Sequence, residues 1–152
     1  VTFFFTFVQI FLGALTRHTY SGMAIPDFPL AFGKIVPDFS QYNYQVVIHY
    51  CHRVGALLLT ILTTIQLTIV LRSGNKMSLV RTPAIISALL ILLQITLGAL
   101  IILTVRDVVP NTAHVAVGSL ILISNAIVFI LSQRNFEVEQ EKVSVFAVST
   151  QI

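Results

Sequence analysis

Residues 9–15 read Gln-Ile-Phe-Leu-Gly-Ala-Leu and residues 94–100 read Gln-Ile-Thr-Leu-Gly-Ala-Leu, so six of the seven positions are identical. Each copy lies in an apolar stretch and is followed by a second apolar stretch that carries a histidine and then a glycine. These pairs are His52 with Gly55 and His114 with Gly118. A repeat of this kind indicates two copies of one supersecondary unit, and we predict two similar helical hairpins.

The composition places these hairpins in a membrane. Hydrophobic residues make up 56% of the 152 positions and charged residues only 10%, which excludes an ordinary soluble domain. A bilayer core requires roughly 20 apolar residues per helix. The charges delimit four such spans, at about residues 1–16, 44–71, 83–104 and 109–131. We therefore predict an all-α integral membrane four-helix bundle over residues 1–135. Its first span is short, so we expect further residues to precede it.

The distribution of charge predicts the orientation of the bundle. The loop between the second and third spans carries Arg72, Lys76 and Arg81 and no acidic residue, whereas the charges of the other two loops balance. The positive-inside rule then places this loop and the polar tail, residues 136–152, in the cytoplasm and the long first loop outside. We expect a multi-pass protein of the cell membrane. The net charge of +3 therefore reflects the orientation of the protein in the membrane. We expect the lipid bilayer as its partner and no binding of nucleic acid.

The two histidines are the main candidates for chemistry. Two hairpins of the same direction are related by an axis along the membrane normal, which brings the second and fourth helices face to face. His52 and His114 can then meet in the outer half of the bundle and serve as axial ligands of one haem iron. Gly55 and Gly118 would leave room for the flat macrocycle. Arg53, a cation inside a span, would pair with a haem propionate.

Other interpretations of these polar residues remain open. The histidines could simply form hydrogen bonds between helices. A zinc site needs more ligands than two, and no Asp or Glu lies inside a span. His49, one turn before His52, could handle protons in catalysis, act as an alternative ligand or lie at the membrane interface. Gln9 and Gln94 are expected to tie helices together. The long first loop could be a structured cap or a segment on the lipid surface.

Several short motifs occur together in this chain. They are Leu-Gly-Ala-Leu-Thr-Arg at 12–17, Ser-Gly-Met at 21–23, Pro-Asp-Phe-Pro-Leu at 26–30, His52-Arg53, the second repeat at 94–100, and His114. In this combination, up to about residue 131, the chain resembles the haem A synthase family. The resemblance implies two four-helix halves in a typical member, each with a histidine pair for haem, and oxidation of the C8 methyl of haem O to a formyl. This chain corresponds to one half.

The chain departs from the family pattern in three ways. The cysteine pair that many members carry is replaced by Ala24 or Ile25 and by Ala31, and the glutamate usual three residues before the His-Arg pair is His49. The second half is absent. The resemblance therefore implies a half-length haem A synthase-type oxidoreductase for cytochrome oxidase assembly, working on haem O and haem A. The alternative is a non-catalytic cytochrome b-like subunit that holds haem b for electron transfer. Either would form a homo-oligomer or join a respiratory complex.

Overall fold

The computed structural model describes the backbone of residues 1–149 and their side chains except those at 75–76, 136–137, 139 and 141–149. Its four α-helices are α1 (Thr2–His18), α2 (Tyr44–Arg72), α3 (Ser78–Leu103) and α4 (Val108–Ser149). Short 3-10 turns lie at Ser21–Met23, Phe39–Gln41 and Gly74–Met77. The described part of the chain contains no β-strand beyond one isolated bridge, so the all-α prediction is confirmed.

Among the described residues, three helices are long and apolar enough to cross a membrane: Tyr44–Arg72, Ser78–Leu103 and Val108–Asn135. Helix α1 has 17 residues and is shorter. At about 1.5 Å per residue it extends roughly 25 Å, slightly less than the ~30 Å hydrocarbon core. The membrane bundle is therefore supported by three spans, and the membrane-spanning role of α1 stays a prediction.

Two helix ends differ from the predicted boundaries. Helix α3 begins at Ser78 and includes Pro83, which the sequence suggested as its start. The reason is burial, because Val80 lies before the proline and is fully enclosed in an apolar cluster with Val70, Ala84 and Val128. Helix α4 continues beyond the predicted end near residue 131 to Ser149. The polar residues after that point include Gln, Glu and Lys, which favour helices. Most side chains of the predicted polar tail, 136–152, lie outside the described residues.

The helices pack as a closed ring in the order α1, α2, α3, α4, with α4 returning to contact α1. Helices α2 and α4 therefore lie on a diagonal of the bundle, as the repeat axis predicts. The loop 19–43 and the turn 104–107 lie at one end of the ring, which we call the loop end. An apolar cluster of Leu59, Ile91, Val117 and Ile121 fills the middle of the bundle.

The long loop is folded onto the start of α2. Ile25, Ala31 and Val46 form a buried apolar cluster that joins loop and helix. The Asp27 carboxylate accepts hydrogen bonds from the backbone N–H groups of Phe32 and Gly33, each at 2.8 Å. These contacts confirm the prediction of a structured cap over this end of the bundle.

Candidate functional site

His52 and His114 lie on the two diagonal helices near the loop end. Both side chains are half-buried. His52 follows the first residue of α2 by eight positions and His114 follows the first residue of α4 by six, or roughly 12 and 9 Å along the helix axes. The repeat thus brings two imidazoles to similar depths on the diagonal helices.

Each imidazole packs against a glycine of the preceding helix. A Cβ atom added at Gly13 would lie 3.2 Å from Cε1 of His52, and one added at Gly98 would lie 3.3 Å from Cε1 of His114. The repeated glycine therefore provides the space in which the ring of the next helix lies. The sequence alone shows the two glycines as part of the repeat without indicating their role, and their identical spacing is the signal that points to it.

The glycines on the histidine helices contact the repeated glutamines. A Cβ at Gly55 would overlap Oε1 of Gln9, and one at Gly118 would lie 3.3 Å from Nε2 of Gln94. These two positions therefore admit the carboxamides close to the backbones of α2 and α4. The predicted role of Gly55 and Gly118 beside a macrocycle stays a prediction.

Gln9 contacts both the ring and the main chain of His52. Its Nε2 donates to the carbonyl oxygen of His52 at 2.8 Å and lies 3.1 Å from Nδ1 of the same residue. The expectation that Gln9 ties helices together is confirmed for α1 and α2. In the second hairpin, Oε1 of Gln94 and Nδ1 of His114 are both buried and have no hydrogen-bond partner among the described side chains.

His49 is buried beneath the long loop, with only 5% of its surface exposed. Its Nδ1 faces the backbone N–H of Ile25 at 3.2 Å, and its Nε2 faces Nε of Arg53 at 3.3 Å. A neutral imidazole has one acceptor nitrogen, so the ring can accept from only one of these donors at a time. The residue therefore lies within the protein and links the loop to α2, and its predicted role stays a prediction.

The guanidinium group of Arg53 forms most of its contacts with the loop. Its Nη1 donates to the carbonyl of Leu30 at 2.9 Å and its Nη2 to the carbonyl of Ile25 at 3.0 Å, while the guanidinium lies 5.9 Å from the centre of the Phe28 ring. Its Nε faces His49, so a third of its five N–H donors is engaged whenever Nε2 of His49 is the accepting nitrogen. The predicted pairing with a propionate stays a prediction, and two N–H groups remain for it.

The histidine pair could bind zinc, bind haem or form hydrogen bonds between helices. Among the side chains that the structure describes, no group of three or more His, Cys, Asp or Glu residues could hold a metal ion, so a zinc site has no support. Helix-to-helix hydrogen bonding accounts for His52 through Gln9. No described side chain bonds to Nδ1 of His114, although the main chain of Gln94 lies close to its ring. Imidazole nitrogen is a donor that haem iron takes in proteins, so the histidine pair could hold a haem.

The chain as a whole is similar to known proteins. The family model described as "Cytochrome oxidase assembly protein" matches residues 1–126. The heme A synthase of Halalkalibacterium halodurans is 31% identical over 134 residues, covering 88% of this chain and 44% of that protein. The heme A synthase of Listeria welshimeri is 32% identical over 111 residues, covering 72% and 35% respectively. That of Staphylococcus carnosus is 29% identical over 136 residues, covering 90% and 43%. The chain thus spans less than half the length of these relatives.

Proposed function

Because this chain belongs to the cytochrome oxidase assembly protein family, we propose that it binds haem between His52 and His114 and acts in haem A synthesis. The proposed reaction is oxidation of the C8 methyl of haem O to a formyl group. The observation that carries the proposal is the pair of repeat-related imidazoles, each lying against a glycine of the preceding helix. A bound haem would supply a redox-active iron.

The residues around the pair have proposed roles of their own. Arg53 would hold a propionate with its two free N–H groups, since guanidinium groups bind carboxylates well. His49 would hold a proton on whichever ring nitrogen is not accepting a hydrogen bond, which suits a group that passes protons during an oxidation. The apolar cluster of Ile25, Ala31 and Val46 would exclude water from this end of the bundle.

The matched region makes up less than half of the length of the relatives. We propose that the protein forms a homo-oligomer or joins subunits of a respiratory complex. In the membrane, the loop end would face outward and the Gly74–Met77 turn and C-terminus would face the cytoplasm, following the positive-inside rule.

Haem analysis of the purified protein tests the proposal. The protein in mild detergent would be examined by reduced-minus-oxidised spectra and by extraction and identification of its haem. Haem O or haem A in the wild type, with loss in a His52→Ala, His114→Ala double variant, would support the synthase. The matched control is His18→Ala, which removes an exposed histidine at the same end of the bundle.

Other outcomes favour other conclusions. Haem b alone would favour the cytochrome b-like electron-transfer subunit, and a colourless wild type would overturn haem binding. His49→Ala separates binding from catalysis, because it lies outside the proposed ligand pair. It should retain haem and lower the conversion of haem O to haem A.

A further inference from the structure

The orientation of the Gln9 carboxamide is determined by its surroundings. One amide hydrogen is donated to the main-chain carbonyl of His52 at 2.8 Å. The reversed orientation would place the amide oxygen against this carbonyl oxygen, and two acceptors at that distance repel each other. The nitrogen therefore faces His52, and Oε1 is turned toward Gly55.

This orientation has a consequence for the His52 ring. The same amide nitrogen lies 3.1 Å from Nδ1 and directs a donor toward it. A ring nitrogen that accepts a hydrogen bond carries the lone pair, so the proton of the neutral imidazole lies on Nε2. In this state Nε2 cannot bind a metal and Nδ1 is already engaged. His52 must release Gln9 or move its ring proton before it can bind iron.

The second hairpin presents the opposite arrangement. The carboxamide of Gln94 has its nitrogen toward Gly118, whereas the carboxamide of Gln9 has its oxygen toward Gly55. No described side chain bonds to Nδ1 of His114, and the main-chain carbonyl of Gln94 is placed to accept from this ring. Metal-binding histidines usually donate their second ring N–H to such an acceptor. His114 is thus free to carry its proton on Nδ1 and to present an unprotonated Nε2.

We propose that the two histidines are inequivalent ligands, with His114 as the primary ligand and His52 as an exchangeable one. Gln9 is the positioning residue that holds His52 in its non-binding state. The proposal rests on haem binding at this pair. A His52 that binds and releases the iron would suit a reaction at the haem, whereas electron transfer alone would not need such exchange.

Single histidine variants test the inequivalence through haem content and spin state. His114→Ala should lower haem content by at least about tenfold, as expected for loss of a primary ligand. His52→Ala should keep most of its haem and give the high-spin spectrum of a five-coordinate iron. Haem lost equally from both variants would overturn the inequivalence and leave the proposed haem binding intact. A wild type without haem would overturn both.

The matched pair Gln9→Met and Gln94→Met tests the positioning role. Methionine has a similar length and is tolerated in irregular packing, so both variants should fold. Gln9→Met removes the donor at Nδ1 and should increase the low-spin fraction and slow carbon monoxide binding to the reduced haem. Gln94→Met leaves the main-chain carbonyl beside His114 in place and should change neither haem content nor spin state. A Gln9→Met protein with unchanged spin state and carbon monoxide binding would show that Gln9 only packs helices.

Discussion

Nη2 of Arg53 donates to the main-chain carbonyl of Ile25 at 3.0 Å, across 28 residues of sequence. A second bond runs from Nη1 to Leu30 at 2.9 Å. One side chain of α2 thus holds both ends of the loop segment that covers His49. The position of this segment depends on the fork of the guanidinium group, which can reach two carbonyls at once.

Replacing Arg53 should release the loop. Arg53→Ala removes two charge-assisted hydrogen bonds to the loop and should lower the free energy of unfolding by about 2 kcal/mol. Arg53→Lys should recover only part of this, since an ammonium group cannot reproduce the fork. Limited proteolysis within residues 19–43 and thermal unfolding in detergent would measure the effect. Arg17→Ala, which changes an exposed arginine at the same end, is the control. Equal cleavage rates in the two proteins would contradict the role given to Arg53.

The Asp27 carboxylate makes the loop sensitive to acid. Its pKa lies below the ordinary 3.8 because the backbone N–H of Gly33 donates to it, with further contributions from the N–H of Phe32 and the charge of Arg53. A carboxyl with a lowered folded pKa stabilises the fold above its unfolded pKa and loses this effect as the pH falls through the folded value. The loop should therefore loosen below about pH 4, and only modestly, since the group is solvent-exposed.

Hydrogen exchange of the amides of Phe32 and Gly33 would test this acid sensitivity. We expect Asp27→Asn to exchange faster than the wild type at pH 6, with the difference shrinking toward pH 3. Asp38→Asn is the control, because that carboxylate accepts instead from Ser40 and Gln41 in another part of the loop. A difference between Asp27→Asn and the wild type that stays constant with pH would refute the assignment.

Much of the architecture could be predicted because it depends on local signals. Apolar runs of membrane length predicted α2 almost to the residue, as Tyr44–Arg72. The repeat predicted that α2 and α4 lie on a diagonal, since two hairpins of the same direction pack around one axis. The choice of His52 and His114 as candidate site residues rests on the same symmetry. The start of α3 was missed because the burial of Val80 outweighs the local effect of Pro83.

The details of the site depend on contacts between distant segments, which periodicity does not encode. The burial of His49 results from the loop that folds over it, and Arg53 is engaged by carbonyls more than 20 residues away. The contact between Gln9 and Gly55 also joins two helices. The repeated glutamine and glycine were visible in the sequence, but their partners were known only once the helices were placed.

Enlarging Gly13 should displace the imidazole of His52. A Cβ atom fits at 3.2 Å from Cε1 with a small adjustment, but the two methyl groups of valine would occupy the space of the ring. Overpacking of this kind costs about 1–3 kcal/mol. Gly13→Val should therefore lower the low-spin haem fraction and the stability, whereas Gly13→Ala should change both only slightly. Absorption spectra and thermal unfolding would measure these effects.

The neighbouring residue supplies the control for this substitution. Ala14→Val introduces the same two methyl groups on the same helix, at a position exposed on the outside of the bundle. It should leave the haem spectrum unchanged. Equal effects of Gly13→Val and Ala14→Val would mean that valine disturbs α1 itself and that Gly13 has no particular relation to the ring.

A single buried carboxamide joins all four helices in the half of the bundle away from the loop. Asn125 of α4 is 1% exposed, and its Oδ1 accepts from the hydroxyl of Ser87 at 2.8 Å and from Nε2 of Gln66 at 3.2 Å. Its Nδ2 donates to Oγ1 of Thr6 at 2.9 Å. These three partners lie on α3, α2 and α1, so one residue fixes the relative positions of the helices.

Removing this carboxamide should destabilise the bundle. Asn125→Leu deprives Ser87 and Gln66 of their shared acceptor, and hydrogen bonds between membrane helices contribute about 0.6 kcal/mol each on average. We expect a loss of about 1–3 kcal/mol in total, because the buried donors are left unpaired. Ser119→Leu, which replaces an exposed polar residue of the same helix, should have little effect. A double-mutant cycle with Ser87→Ala tests whether Asn125 and Ser87 are energetically coupled, since directly bonded residues give non-additive changes in stability. Additive losses would show that Asn125 and Ser87 act independently.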